Sequence, residues 1–309
     1  MAANFETGFF GNRTPAWHGL GVVVEGTLTS ADAIHTANLG WTVMQKEIYT
    51  SDGILIPDYK ANVRDSDNTV LGVVGNRYKI VQNTDAFAFT DDLIGEGVRY
   101  ETAGSLNKGR TIFLLAVLPK QYEILGDKVD PYIVFTNSHD GSGAVRCAMT
   151  PIRVVCQNTL NAALGSAKRI WSARHTGNID MKMADARETL GLATVYMETL
   201  QSKFEELNKV KLDDGRVGDL IKQLSPVTES MTEKQKANAL KVQQDIWFRY
   251  YTAPDLEQRD KSGARFVQAV ADTASHMEPL RRTKNYDENF FGKMILGNDL
   301  LDKAIKLVA

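Results

Sequence analysis

A chain of 309 residues, 43% hydrophobic and 24% charged, can bury a large core and has the composition of a soluble globular protein. Its net charge of −2 excludes a uniformly basic surface, so any nucleic-acid site has to be a local patch. Two cysteines exclude a disulfide framework, and no apolar run approaches the ~18 residues that suggest a membrane span. The first ten residues lack the basic start and apolar run of a secretory signal, and Ala2 rules out N-myristoylation. A soluble cytoplasmic protein with no membrane partner is expected.

The opening, Gly8 to Gly26, is rich in glycine and reads as loop. Trp17 and His18 there form either a ligand lip or an arm that plugs a groove, and the arm is the expectation. The spacing predicts a short helix from Thr29 to Ala37, with Thr29 or Ser30 as its cap. Strands are predicted over Trp41–Tyr49, Tyr59–Arg64 and Val70–Gly75, with turns at Ser51-Asp52-Gly53 and Asp65 to Asn68, an antiparallel meander. Asn83-Thr84-Asp85 caps a helix over Ala86–Ile94. Further strands follow over Val98–Ala103, Thr111–Leu118, Tyr122–Leu125, Tyr132–Asn137 and Ala144–Thr150, the last interrupted by Pro151. A hairpin turn over Gly104–Gly109 leaves Lys108 and Arg110 at a basic edge, and Asn158 or Thr159 opens a helix through Ala163.

Beyond Gly177 the texture changes. Apolar residues recur at Ile179, Met183, Ala186, Leu190, Ala193, Met197, Leu200, Phe204 and Leu207, the alternating four-three spacing of a long helix with a coiled-coil-like seam. Packing within the chain and self-association both satisfy such a seam. Lys211 to Gly218, with two glycines, is expected to close the helix. Three more helices are predicted over Thr232–Tyr251, Ser262–Met277 and Asp299–Val308. The expected fold is α+β: a mostly antiparallel β-sheet body with a few helices over 1–177, then a helical region over 178–309 containing the heptad-patterned helix.

Thr136 to Leu164 concentrates the chemistry. From Gly141 to Ile179 there is no carboxylate, while Arg146, Arg153, Lys168, Arg169 and Arg174 all fall inside. Trp171 interleaves with these cations. Guanidinium and ammonium groups that neutralise phosphates, beside a flat ring on which a base stacks, are what single-strand binding needs. The bland alternative is a solvated face whose acidic partners come from elsewhere, such as Asp180 or Asp185.

The turn Ser138-His139-Asp140-Gly141-Ser142-Gly143 either is only a turn or lets backbone N–H groups face a phosphate. Its neighbours His139, Asp140, Cys147, Cys156 and His175 lack any metal-ligand spacing, so no metal or cofactor is expected. Both cysteines sit in apolar runs, which favours burial over nucleophilic use.

Ala16-Trp17-His18-Gly19-Leu20-Gly21, Val74-Gly75-Asn76-Arg77-Tyr78 leading to Gln82-Asn83, and Ser138 to Leu160 resemble the phage/plasmid-like protein family. So does the tail from Arg265 through Phe290-Phe291-Gly292 to Lys306. Arg153 to Leu160 is the most specific part. The family is carried by bacteriophages, prophages and plasmids and is a domain of unknown function. The resemblance implies a mobile-element protein of the host cytoplasm and transfers no catalytic residue. A remote similarity to phage single-strand annealing recombinases implies rings or filaments that hold DNA in a basic groove. The near-neutral charge departs from the positive excess usual in annealing proteins.

The functional expectation is a non-enzymatic, homo-oligomeric protein that binds single-stranded DNA and anneals strands in recombination. Arg146, Arg153, Lys168, Arg169 and Arg174 would contact phosphates, Trp171 would stack, and Lys108 and Arg110 would extend the groove. One alternative is an enzyme or small-molecule binder in which His139, Asp140 and Cys156 carry chemistry and Asn137, Gln157 and Asn158 orient the ligand. Another is a structural or host-interaction protein docking through the heptad helix.

Overall fold

The computed structural model describes residues 5–10, 22–23, 28–94, 99–118, 120–153, 170–278, 280 and 299–309. The chain is α+β with two sheets, antiparallel in the described pairings apart from one parallel pair, and its C-terminal part is helical. One sheet is a meander of β3 (Val43–Tyr49), β4 (Leu55–Arg64) and β5 (Val70–Gly75). The other comprises β1 (Phe5–Phe10), β2 (Val22–Val23), β6 (Arg99–Leu106), β7 (Thr111–Val117), β8 (Tyr122–Ile124), β9 (Asp127–Ser138), β10 (Val145–Arg153) and β11 (Ile170–Ala173). Its order is β11-β10-β9-β7-β6-β1-β2, with β8 on β9, and β1 and β2 run parallel.

By packing, the chain divides into two compact units. The first comprises residues 1–120, 132–149 and 168–193, and the second residues 121–131, 150–167 and 194–309.

In the first unit, the Thr29 hydroxyl accepts from the Asp32 N–H at 3.2 Å and starts α1 (Ser30–Thr36). Asn38, at φ 53°, supplies the left-handed turn after it. α2 (Asn83–Ile94) begins at Asn83, whose side-chain amide donates to the Leu39 and Trp41 carbonyls at 2.9 and 3.2 Å. Two-residue alternation sends Leu114, Ile133, Phe135, Val145 and Cys147 inward, against Leu39, Trp41, Leu71 and Phe87. Each large side chain so buried contributes about 1.5–3 kcal/mol, which outweighs the weak intrinsic preference of any one strand.

β10 runs through Pro151 to Arg153, where an interruption was expected. β11 pairs only with Val145 to Ala148, so the N–H that Pro151 lacks is not needed by that neighbour.

In the second unit, β8 and the start of β9 form a hairpin whose turn residues Leu125 and Gly126 have φ of 52° and 84°, the hand that matches strand twist. α3 spans Ile179–Lys209, of which residues 194–209 belong to this unit. Along it Met197, Leu200, Phe204 and Leu207 are buried; the side chains of 179–193 lie outside the described residues, so the heptad pattern as a whole is not established.

α4 (Asp214–Leu224) begins within Lys211 to Gly218, the stretch expected to close the preceding helix. Asp213 caps it by accepting from the Arg216 N–H at 2.7 Å, and the stripe Val217, Leu220, Ile221 and Leu224 is buried, enough to carry two glycines in a helix. α5 (Glu233–Thr252) starts with a reciprocal box between Thr232 and Gln235, and α6 (Gly263–His276) with Ser262. α6 is buried along nearly its whole length, and α7 (Asp299–Val308) packs against it. A Cβ at Gly263 would lie 2.3 Å from Val308 Cγ1, so glycine is required where those two helices meet.

Candidate nucleic-acid interface

The site is built on the turn that follows β9. The Ser138 hydroxyl donates to Asp140 Oδ1 at 2.5 Å, Asp140 Oδ1 accepts from the Ser142 N–H at 2.8 Å, and Ser138 Oγ accepts from the Gly143 N–H at 3.1 Å. Gly141 provides the left-handed residue at φ 78°. The turn thus closes on its own side chains, and the N–H groups of Ser142 and Gly143 are already engaged. It lies directly on β5: a Cβ at Gly72 would sit 2.5 Å from Asp140 Cα. Asn62 Nδ2 of β4 donates to the His139 carbonyl at 2.7 Å, and the Tyr78 hydroxyl to the Ser138 carbonyl at 2.6 Å.

The strap from Asn76 to Gln82 is gripped from both sides. Lys79 N–H donates to the His175 carbonyl and His175 Nδ1 donates back to the Lys79 carbonyl, both at 2.8 Å. Asn137 Nδ2 donates to the Val81 carbonyl at 2.8 Å, and the Tyr78 ring stacks on His175 with centroids 4.5 Å apart. These contacts hold Arg77 at the mouth of a cleft of about 810 Å³.

Arg77, Arg146 and Arg174 all line that cleft. Among the described residues, no carboxylate pairs with any of the three. Arg146 faces it because it pairs with Ser172 of β11, one step out of phase with the buried Val145 and Cys147. Tyr59 and Val73, both exposed, form an apolar wall, and Asp58 and Asp140 are the acidic members. Burial alone would raise the Asp140 carboxyl, but hydrogen bonds from Ser138 and Ser142 and the nearby Arg110 guanidinium hold it below the usual carboxylate range. It is therefore ionised at neutral pH.

Of the residues singled out from sequence, Arg146 and Arg174 come together at the cleft. Arg110 approaches the turn beside Asp140, and Lys108 sits exposed in the β6–β7 turn at φ 61°. Arg153 ends β10, and its side chain lies outside the described residues, as do Lys168, Arg169, Trp17, His18, Cys156, Gln157 and Asn158. Trp171 pairs with Cys147, on the inward face, and packs on the core 6.2 Å from the Phe89 ring. The strand's period of two therefore puts its indole on the face opposite Arg146.

His139 is fully buried, with Nε2 donating to Asn83 Oδ1 at 3.0 Å, since the Asn83 amide nitrogen is already donating elsewhere. Burial, with His175 nearby, pushes its pKa down to about 3, against a small opposing pull from Asp140. Burial lowers His175 too, opposed by its bond to Lys79. Both imidazoles are neutral at pH 7. Cys147 is buried and its thiol is pushed up to about 12 by that burial, which leaves no thiolate. Among the described residues, no group of three or more His, Cys, Asp or Glu could hold a metal ion.

Arg77, Tyr59 and Tyr78 were not anticipated. For Arg77 and Tyr78 a signal existed: both stand in Val74 to Tyr78, a segment that carries the family resemblance, and it meets another such segment, Ser138 onward, at this cleft. Residues 70–291 match the family described as a domain of unknown function, DUF932. The chain belongs to the DUF932 family. No curated protein and no solved structure matches it. The DUF932 match contains all three cleft arginines and the turn, whereas Asp58 and Tyr59 precede it. No helix among the described residues is long and apolar enough to cross a membrane.

Proposed function

We propose that this DUF932 protein binds single-stranded nucleic acid through the cleft of its first unit. The observation that carries the reading is the set of three guanidiniums, Arg77, Arg146 and Arg174, that face one cleft without a carboxylate partner among the described residues. Burying or crowding like charges without compensation is unfavourable, so such a cluster gains most from an anionic ligand with several charges in a row. The exposed Tyr59 ring on the same wall offers the stacking face first expected of Trp171.

Arg110 and Lys108 extend the positive edge, and Arg153, Lys168 and Arg169 belong to the same proposal from sequence alone. A role in strand annealing by a self-assembling phage- or plasmid-borne protein is the biological form that the reading takes.

The test is equilibrium binding of fluorescent single-stranded and duplex oligonucleotides across a salt series, with annealing of complementary strands followed in the same samples. Three phosphate contacts predict a log–log salt slope of about −2 on single strands. Absence of binding near ~50 mM salt, where phosphate contacts are strong, overturns the reading.

A further inference from the structure

The three-stranded sheet of the first unit has one face that packs inward and one whose rim is exposed. Register fixes which residues share the second face: Val63 pairs with Met44 and with Val70, Ala61 with Lys46 and with Val73, and Tyr59 with Gly75. Paired residues in a sheet point to the same side. Met44, Tyr59, Val70 and Val73 are 41, 53, 54 and 54% exposed on that side and ring a central row, Ala61 and Val63, that their neighbours cover, while Asn62 and Val74, one step out of phase, are buried on the other. A cluster of exposed apolar side chains of this kind marks an interaction site.

Two of these residues, Tyr59 and Val73, also line the arginine cleft, so the apolar face and the cationic cleft are one continuous surface. Lys46, on the same face, donates to Asn68 Oδ1 at 2.9 Å, which leaves the cations of the cleft to meet the phosphates. A ligand matching both parts carries closely spaced anions on one edge and flat apolar groups on the other.

Resting on the cleft reading above, we infer that the outer face of β3–β5 is a platform for the bases of a single strand whose phosphates enter the arginine cleft. From the row of Tyr59 to the row of Val63 is four residues, roughly 13 Å of strand. That is room for about two or three nucleotides beyond those in the cleft, which is how open sheets present stacked bases. Salt dependence then resides in the cleft, and length dependence in the sheet.

The experiment compares oligothymidylates of about three and about ten nucleotides on the full chain and on a variant carrying Met44→Ser and Val70→Ser. The expected result is that the longer oligomer binds the natural chain at least about tenfold more tightly, that the variant loses this gain, and that its salt slope is unchanged. Ten-nucleotide probes with one bromouracil, crosslinked and mapped by mass spectrometry, are expected to mark Met44 and Val70, which lie outside the cleft lining, a readout that needs no variant to fold. Equal binding of both lengths with crosslinks elsewhere overturns the platform and leaves the cleft reading intact. No binding of either length overturns both. A dimer of the natural chain that the double substitution dissolves, with oligonucleotide binding unchanged, assigns the face to a second copy instead.

Discussion

The cleft arginines of the first unit and three arginines of the second lead different lives. In the second unit Arg249 is clamped between Asp245 and Asp272 at 2.6 and 2.8 Å. Arg265, only 5% exposed, donates to the Tyr250 and Arg259 carbonyls at 2.6 and 2.7 Å, and Arg259 pairs with Asp127. These guanidiniums are construction material: they satisfy carbonyls and carboxylates where the helices of this unit meet. In the first unit the guanidiniums of Arg77, Arg146 and Arg174 line one cleft and have no carboxylate partner among the described residues. A cation that holds the fold together is identified by its partners, and a cation available to a ligand by the lack of them.

The largest way to sharpen that contrast is Arg265→Ala. It leaves buried carbonyls of Tyr250 and Arg259 without donors and is expected to lower unfolding stability by about 3–5 kcal/mol in urea titration. A loss under about 1 kcal/mol means that water replaces the guanidinium and that the arginine is not structural.

Acid is the next probe, and it acts on the first unit. His139 and His175 have folded pKa values below the unfolded value, so their contribution is constant above about pH 6.5. As pH falls below that, the unfolded chain takes up protons that the folded chain does not, and stability drops toward pH 3 by about 1.4 kcal/mol per pH unit for His139. Hydrogen exchange followed by peptide should show 132–149 opening before 263–276 as the pH is lowered from 7 to 4. Simultaneous opening breaks the assignment.

Gly72→Ala comes third. Its Cβ meets Asp140 backbone, so the turn has to shift, at about 1–3 kcal/mol, and oligonucleotide binding weakens with it. Smallest in stability is Arg77→Ala with Arg146→Ala and Arg174→Ala, expected to move unfolding by no more than about 0.5 kcal/mol while flattening the salt slope by about 2. A marked loss of stability places these three with the structural arginines.

Much of the fold was legible locally. Thr232 and Ser262 start α5 and α6 where their caps predict, and the meander β3–β5 follows its turn residues. The failures share a cause, since each depends on a partner remote in sequence. Gly215 and Gly218 sit inside α4 because its apolar stripe is buried, and Gly218 lies close against Trp247. Trp171 turns inward because of its register with Cys147. At the candidate site, a carboxylate-free window found Arg146 and Arg174 but not Arg77, which lies far upstream and arrives through the strap held by His175 and Asn137. Charge read along the chain sees only neighbours in sequence, whereas a cleft collects neighbours in space.

The contact of Gly72 with the Asp140 backbone bears on kinetics. Because the turn rests on β5 through main chain, and both strap and turn are tied by hydrogen bonds, the cleft has little left to order when a ligand arrives. Association with a charged strand should then be limited by encounter and fall with ionic strength, while dissociation carries the dependence on ligand length. A temperature-insensitive on-rate beside a length-dependent off-rate is the kinetic signature of a groove finished before its occupant comes.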